Sequence, residues 1–163
     1  MQKLMRKGEA WLKTVCCHAE FHSKDPNTKV AAAIIRPDWS LVSMGYNGMP
    51  MGTEDSHENW QRPRKYDLVI HAEVNALRQA RENTAGYLLV CNLFPCHRCA
   101  GEIAQAGIKT LIYSGEPRDD QQWGLATQIM RDAGISMIRI KNIAKVQGFG
   151  PIFEKAEWEQ WEI

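Results

Sequence analysis

The sequence predicts an α/β protein in which a central mixed sheet of five strands lies between two layers of helices. Five short segments have the apolar character of strands, and helix and strand patterns alternate from residue 71 onwards. Such alternation is typical of a sheet that is covered by helices on both faces. At 163 residues the chain has a usual length for one compact domain, so we predict a single domain over residues 1–163.

A helix and a strand hairpin are predicted for the first part of the chain. Gln2–Phe21 has apolar residues spaced for one side of a helix, although the pattern is imperfect. Lys29–Arg36 and Ser40–Tyr46 are predicted as two strands joined by a turn at Pro37-Asp38. The next segment, Asn47–Asp67, is rich in Gly, Pro, His and charged residues, which predicts a long, largely irregular loop of the kind that is usually functional.

Three helices and three strands are predicted to alternate after this loop. Gly107 and Gly134 follow the second and third of these helices, at positions where glycine commonly ends a helix. Because a helix joins each strand to the next, we expect these strands to be mostly parallel. The helices are predicted over Ala72–Arg81, Cys96–Ala106 and Asp119–Ala133, the strands over Gly86–Val90, Lys109–Tyr113 and Ile135–Ile140, and a short acidic helix over Phe153–Ile163.

The composition narrows the classes of function. A formal net charge of +1 disfavours a protein that binds long phosphate backbones, whereas a small anionic ligand needs only a few donors. No apolar run approaches the length of a membrane span, and Met1–Leu12 lacks the pattern of a secretory signal. We therefore predict a cytoplasmic protein that binds neither nucleic acid nor a membrane. In a reducing compartment, its five cysteines are considered first as metal ligands.

Two short motifs carry the chemistry. They are H-A-E at His71–Glu73 and P-C-H-R-C at Pro95–Cys99, and each lies at the start of a predicted helix. Cysteines three residues apart on a first helical turn point to the same side, and the helix dipole favours their thiolates. His71, Cys96 and Cys99 would thus supply three ligands to Zn²⁺ and leave the fourth position to water, which is the catalytic arrangement.

Glu73 is predicted as the general acid/base of this site. It lies two residues from His71, close enough to face the water without being needed as a ligand. H-x-E followed by P-C-x-x-C is the signature of zinc deaminases that act on cytosine or adenine, and the sequence matches every fixed letter. Two alternatives stay open, a redox cysteine pair and a closed structural zinc site. The candidates for a fourth ligand in such a closed site are Cys16, Cys17, Cys91 and His97.

Further stretches between about Ser23 and Tyr113 match one known family. They are Ser23–Val30, Gly45–Pro50 with Gly52 and Asp55, Lys65-Tyr66, His71–Ala76, Phe94–Ala100 and Gly107–Lys109. Together they resemble the deoxycytidylate (dCMP) deaminases. The Gly-Tyr-Asn-Gly loop and the long insertion after it distinguish this family from others that share the zinc motifs.

The resemblance implies a cytidine-deaminase-like αβα fold and the zinc-dependent hydrolysis of dCMP to dUMP, which supplies dUMP for dTMP synthesis. Ser23, Lys24 and Asn27 can offer donors to a monophosphate, and the amide of Asn47 suits a sugar hydroxyl and the pyrimidine edge. Without the zinc motifs, Ser23–Asn27 would be interpreted as a turn that ends a helix. The predicted substrate-binding residues are Ser23, Lys24, Asn27, Asn47, Ala72 and Tyr113.

The resemblance also implies regulation and assembly. dCMP deaminases usually form hexamers and are often activated by dCTP and inhibited by dTTP, which bind together with Mg²⁺. A homohexamer with a nucleotide effector site is therefore the expectation for this chain. The predicted effector-binding residues are Tyr46, Gly48, Met49 and Lys65.

Three other functions stay open. A relaxed enzyme would act on dCTP or on a 5-modified dCMP. A nucleic-acid deaminase would act on tRNA adenosine or on cytosine in single strands, and the near-neutral charge argues against it. A zinc-stabilised binding module would have a closed fourth ligand and no activity. Comparing the activity on free dCMP with that on a tRNA anticodon stem-loop separates a dCMP deaminase from the nucleic-acid deaminase.

Overall fold

The computed structural model describes residues 2–115 and 121–141. Helix α1 spans Gln2–His22, and strands β1 (Ala31–Ile35) and β2 (Leu41–Tyr46) follow it as a hairpin. The remaining elements are a 3-10 helix at Glu58–Trp60, α2 at Lys65–Leu68, α3 at Ala72–Gln79, β3 at Leu88–Cys91, α4 at His97–Gln105, β4 at Thr110–Tyr113, α5 at Gln121–Asp132 and β5 at Ser136–Arg139.

The five strands form one mixed sheet in the order β2-β1-β3-β4-β5. Strand β1 pairs antiparallel with both β2 and β3. The pairs β3–β4 and β4–β5 are parallel, because α4 and α5 carry the chain back across the sheet between them. In this register Val90 lies opposite Ala33 on one side and Ile112 on the other. The predicted hairpin followed by parallel strands is confirmed.

Successive residues of the central strands face opposite helical layers. On one face Ala31, Ala33 and Ile35 pack in a core with residues of α1. On the other face Ala32 and Ile34 pack in a second core with residues of α3, α4 and α5. Because side chains alternate along a strand, one sheet serves both cores. The predicted three-layer αβα architecture is therefore confirmed.

The bounds of the elements differ from the predicted ones by a few residues. Strand β1, predicted over Lys29–Arg36, pairs only over Ala31–Ile35. The loop predicted as irregular over Asn47–Asp67 contains a 3-10 helix and most of α2. The side chains of Trp60 and Lys65 account for this helical structure, since both are buried and fix the loop to the body of the protein.

Some predictions fall on residues outside the described ranges. These are the first two residues of the helix predicted from Asp119 and the acidic helix predicted over Phe153–Ile163. The single domain over residues 1–163 stays a prediction. Within residues 2–115 and 121–141, none of the helices combines the length and the apolar character that crossing a bilayer requires.

Candidate active site

Three potential metal ligands meet where two helices begin. His71 directly precedes the first turn of α3, and Cys96 holds the same position before α4. Both residues have an extended backbone, so each side chain projects from the end of its helix. Cys99 lies in the first turn of α4, three residues after Cys96. The positive end of each helix dipole favours negatively charged sulfur at these positions.

The donor atoms of this group are spaced for one zinc ion. Nδ1 of His71 lies 3.5 Å from Sγ of Cys96 and 3.3 Å from Sγ of Cys99. A tetrahedral Zn²⁺ with a Zn–N bond of about 2.0–2.1 Å and a Zn–S bond of about 2.3 Å places nitrogen and sulfur roughly 3.5 Å apart. The group therefore fits Zn²⁺.

The closed four-ligand alternative gains no support from the described part of the chain. Within residues 2–115 and 121–141, no fourth His, Cys, Asp or Glu has its donor atom within 4.8 Å of the other three. Three protein ligands are the number that a catalytic zinc site uses. The spare candidates that stay outside the group are Cys16, Cys17, Cys91 and His97.

The two cysteines of the group shift each other's pKa. A hydrogen bond from the Cys99 thiol, assisted by His71, outweighs burial and lowers the pKa of Cys96 to about 3. The same hydrogen bond, together with burial, raises the pKa of Cys99. The pair thus holds one thiolate readily and shares the remaining proton. A metal cation takes the place of that proton when it binds, because metal ligation requires thiolates.

Glu73 lies beside this group, in the first turn of α3, and its side chain is buried. Burial raises the pKa of its carboxyl above the usual 4.5, and the nearby charge of His71 works in the opposite direction. A raised pKa suits a carboxyl group that must take up and release a proton near neutral pH. Glu73 is not one of the three residues whose donor atoms cluster, so it lies next to the group rather than within it.

A close approach at Gly45 fixes helix α3 against strand β2. A Cβ atom at Gly45 would lie 2.3 Å from the backbone nitrogen of Ala76 and 2.7 Å from the carbonyl oxygen of Ala72. Any side chain there would push the helix away from the sheet. Ser43 adds a hydrogen bond from its Oγ to the carbonyl oxygen of Ala76 at 2.8 Å. The position of Glu73 relative to the sheet therefore depends on this glycine.

The histidine and cysteine motifs have counterparts in known proteins. The family model described as "Cytidine and deoxycytidylate deaminase zinc-binding region" matches residues 5–115, which is more than half of the chain. The chain belongs to this family. Both His71–Glu73 and Cys96–Cys99 lie within the matched range, so family membership and the geometry of the group agree on zinc.

Relatives within this family include proteins named deoxycytidylate deaminase. The one from Pongo abelii is 38% identical over 122 residues, which cover 70% of this chain and 68% of that protein. The one from Homo sapiens is 37% identical over 115 residues, which cover 66% of this chain and 65% of that protein. The chain thus spans close to two thirds of the length of each.

A solved structure confirms the predicted fold class. A crystal structure of dCMP deaminase from the cyanophage S-TIM5, in complex with dCMP and dUMP, is 28% identical to the chain with a TM-score of 0.67. The similarity covers 81% of this chain and 95% of that one. The cytidine-deaminase-like αβα fold expected from the sequence is therefore the fold of this chain.

The predicted phosphate-side residues fall into two environments on one turn. Ser23 is buried, and its Oγ donates a hydrogen bond to Oδ1 of Asn47 at 2.7 Å. Lys24 and Asn27 are exposed. The ammonium of Lys24 lies 2.6 Å from Oδ2 of Asp55. The exposed side chains of this turn can therefore meet a ligand, whereas the Ser23 hydroxyl is engaged inside the protein.

The side-chain amide of Asn47 uses its full hydrogen-bonding capacity within the protein. Oδ1 accepts from Ser23 Oγ and from the backbone nitrogen of Val30, the latter at 2.9 Å. Nδ2 donates to the carbonyl oxygen of Thr28 at 3.0 Å and to Oδ2 of Asp25 at 3.1 Å. A direct bond to a sugar or a base would require Asn47 to exchange one of these partners. Its predicted contact with substrate stays a prediction.

Ala72 and Tyr113 both border the core between the sheet and helices α3 to α5. Ala72 is completely buried, backbone included, so its predicted contact with substrate stays a prediction. Tyr113 ends strand β4 and is half-buried, with its ring packed edge-on against Phe94 at a centroid distance of 4.8 Å. This position suits a core residue and equally a residue that stacks on the base, so the predicted contact of Tyr113 with substrate stays a prediction.

Three of the four predicted effector residues line one pocket of about 190 Å³. Tyr46, Gly48 and Met49 form one side of it, and Lys24 and Asp55 belong to the same lining. The backbone of Gly48 is held in place by two hydrogen bonds with residue 70, at 2.9 and 3.1 Å. The predicted effector loop thus forms a concave surface that carries a cation and a carboxylate.

Lys65, the fourth predicted effector residue, lies in a different environment. It is 5% exposed, and its Nζ lies 2.9 and 2.8 Å from the two carboxylate oxygens of Asp25. It is not part of the pocket lining. Its predicted contact with an effector stays a prediction, and in this structure its ammonium is directed into the protein.

Asp25 and Asp55 lie in stretches that match the family, but neither is a predicted ligand-binding residue. Each one holds a lysine that was predicted to bind a ligand. The Asp-Pro-Asn sequence at residues 25–27 is a turn signature and was the available signal for Asp25. Its partner lies 40 residues away, and that of Asp55 lies 31 residues away. No local pattern in the sequence pairs residues at such separations.

Proposed function

We propose that this chain is a hydrolase that deaminates dCMP to dUMP with a zinc ion held by His71, Cys96 and Cys99. The observation that carries the proposal is the group of these three residues at two helix starts, with the buried Glu73 beside it. Relatives named deoxycytidylate deaminase, and the cyanophage dCMP deaminase with the same fold, support dCMP as the substrate.

In this mechanism Glu73 handles the protons. A zinc ion in the site would acidify a water molecule towards neutrality. The carboxylate of Glu73 would accept one proton from that water and pass it to the pyrimidine ring nitrogen N3 as the hydroxide adds to C4. It would then carry the second proton, from the hydroxyl now on C4, to the 4-amino group, so that the C4–N bond breaks and ammonia leaves. Its burial keeps the carboxyl away from bulk water and raises its pKa, so that it can hold the proton between these steps. Gly45 keeps helix α3, and with it Glu73, close to the sheet.

The turn at residues 23–27 is proposed to face the nucleotide. Lys24 and Asn27 are exposed there and can donate to the monophosphate, with Lys24 acting as a point charge. Ser23 and Asn47 support this turn from inside the protein and line the nucleotide site from there. Tyr113, which is half-buried, is proposed to present part of its ring to the base. The proposed contact of Ala72 requires the ligand to reach a residue that is fully covered in this structure.

A nucleotide effector is proposed for the pocket at Tyr46, Gly48 and Met49. The supporting observation is the presence of these three residues in one pocket with Lys24 and Asp55. The carboxylate of Asp55 in this lining matches the Mg²⁺ that accompanies dCTP or dTTP. Binding of Mg²⁺ here would compete with the ion pair between Lys24 and Asp55.

A substrate panel tests the proposed function. The purified chain is assayed with dCMP, CMP, dCTP, 5-methyl-dCMP, deoxycytidine and a tRNA anticodon stem-loop, each with and without added dCTP and Mg²⁺. We expect the highest kcat/KM with dCMP and a change in its rate when dCTP and Mg²⁺ are added. A higher kcat/KM for dCTP or 5-methyl-dCMP than for dCMP would show that the proposed substrate is wrong. Activity on the stem-loop alone would overturn the assignment to nucleotide metabolism.

Assembly and location are part of the same proposal. We propose a homohexamer, as the family resemblance implies, and a cytoplasmic location, as the cysteine content favours. The mass of the zinc-loaded protein in solution, measured by light scattering, tests the hexamer directly.

A further inference from the structure

A buried ion pair joins two parts of the chain that are far apart in sequence. The side chains of Lys65 and Asp25 are 6% and 4% exposed, and their closest atoms are 2.8 Å apart. The Asp25 carboxylate also accepts hydrogen bonds from the backbone nitrogens of Asn27 at 2.8 Å and Thr28 at 3.1 Å. One carboxylate therefore fixes the turn at residues 25–28 and binds helix α2 to it.

Asn47 extends this pair into a network. Its Nδ2 donates to Asp25 and to the carbonyl oxygen of Thr28, and its Oδ1 accepts from Ser23 and Val30. Every polar atom of the Asp25 carboxylate and of the Asn47 amide has a partner in the protein. The network reaches from the end of α1 to the start of β1.

The ion pair stands at the head of the segment that leads to the metal-binding group. Lys65 begins helix α2, and His71 follows only six residues later. Between them, Ile70 forms a backbone bridge with Gly48, the residue directly after Asn47. The stretch from Lys65 to His71 is short and is held by the hydrogen bonds of residue 70 with Gly48. A displacement of Lys65 would therefore also displace His71, which precedes α3.

Burying a lysine and an aspartate is an inefficient way to gain stability. Removing both charges from water costs about as much as their attraction returns, and apolar replacements of similar volume are often equally stable. A buried pair with matched hydrogen bonds does define a unique geometry, because neither partner can move without leaving a charge unpaired. The pair thus suits a positional role better than a stabilising one.

We propose that Asp25 and Lys65 are positioning residues, which hold the phosphate-side turn at residues 23–28 in register with the segment that carries His71 and Glu73. The inference rests on the proposed function, since it assumes that the turn meets the 5′-phosphate of dCMP. It assigns to the pair a role in selecting phosphorylated over unphosphorylated substrate.

The test compares two substrates that differ only in the phosphate. For each variant we measure kcat/KM for dCMP and for deoxycytidine and take the ratio. Lys65→Met removes the ammonium and retains a side chain of similar length. We expect the ratio to fall about tenfold or more through a higher KM for dCMP, because a misplaced binding group loses its orientation. Bound zinc, measured by metal analysis, should stay at the parental level.

Arg36→Met is the matched control. It breaks an ion pair with Glu82, 2.7 Å long, between two partly exposed side chains at the far end of β1. If each ion pair contributed only to stability, both variants would lower the free energy of unfolding and neither would change the ratio. Only Lys65→Met should move the ratio of the two substrates.

A double variant covers the case in which Lys65→Met fails to fold. Asp25→Asn combined with Lys65→Met leaves no unpaired buried charge, and we expect it to fold with a lowered ratio. An unchanged ratio in a folded variant, single or double, would overturn the inference while the proposed function stands. If the parental chain fails to deaminate dCMP, the proposed function is wrong and the inference falls with it.

Discussion

The metal-binding group and the Asp25–Lys65 network are both polar clusters, yet they are encoded differently. The group consists of two short motifs, each at a helix start, whose ligands lie within four residues of one another inside a motif. The network consists of single residues, and the contacts that Asn47 and Lys65 make in it span 17 to 40 positions. A short motif can be recognised in one sequence. A network of isolated residues becomes visible only in the fold.

Substitutions in the two clusters should also have different effects on the protein. Loss of a metal ligand should remove the chemistry altogether, since no other described side chain can replace it. Loss of a network residue should weaken stability or binding but leave the metal in place. The following predictions test this difference, beginning with the largest effect.

Cys96→Ala is expected to abolish both zinc binding and dCMP turnover. Two protein ligands are too few to retain the ion, and the two helix starts lose the connection that the ion makes between them. Metal analysis of the purified variant should find almost no zinc, and its thermal midpoint should fall. Cys17→Ala is the control, because Cys17 lies outside the group and should leave the zinc content unchanged.

Glu73→Gln is expected to lower kcat for dCMP by a factor of about 10² to 10⁴, because the amide cannot transfer protons. The shape of the side chain is preserved, so zinc content and fold should match those of the parent. Steady-state kinetics with parallel metal analysis measures both. Glu82→Gln removes an exposed carboxylate from another part of the surface and should keep the parental kcat. Turnover of Glu73→Gln at the parental rate would contradict the proposed role of Glu73 as the general acid/base.

Asn47→Ala is expected to destabilise the fold by about 2–3 kcal/mol, because it leaves buried partners without hydrogen bonds. The groups affected include the backbone nitrogen of Val30 and the carbonyl oxygen of Thr28. Urea unfolding of the zinc-loaded protein measures the change. Asn83→Ala, at an exposed position, should change the free energy of unfolding much less. Equal changes in the two variants would contradict the importance given to the network.

The smallest expected effect is a dependence of stability on pH through Asp25. Burial alone would raise the pKa of this carboxyl, but hydrogen bonds from Lys65, Asn27 and Thr28 lower it below the usual 3.8. A lowered pKa in the folded state gives stability that is fully present above the unfolded value and is lost as the pH falls through the folded value.

Urea unfolding of the parent and of Asp25→Asn, from pH 6 down to pH 2, tests this dependence. The difference in their free energies of unfolding should be constant at the upper end and should shrink once the pH falls below about 4. Acid also removes the zinc, but it does so in both proteins. A difference that stays constant over the whole range would contradict the assigned role of the Asp25 charge.

The sequence predicted the layers, the parallel strands after the hairpin, the family and the three residues of the metal-binding group, because periodicity and short motifs encode them locally. It placed Lys65 among the effector contacts, whereas the fold buries its ammonium against Asp25. Burial of a lysine depends on what lies opposite it after folding, which no pattern around residue 65 reveals. The same holds for Asn47, whose amide is satisfied by partners that all lie within residues 23–30.

The central claim is that one zinc ion is held by one nitrogen and two sulfur atoms of the protein, with a solvent ligand in the fourth position. X-ray absorption at the zinc edge of the loaded protein measures this directly. The account predicts two sulfur neighbours at about 2.3 Å and two nitrogen or oxygen neighbours at about 2.0–2.1 Å, in the parent and in Glu73→Gln alike. Three or more sulfur neighbours, or a signal with a single sulfur, would contradict it.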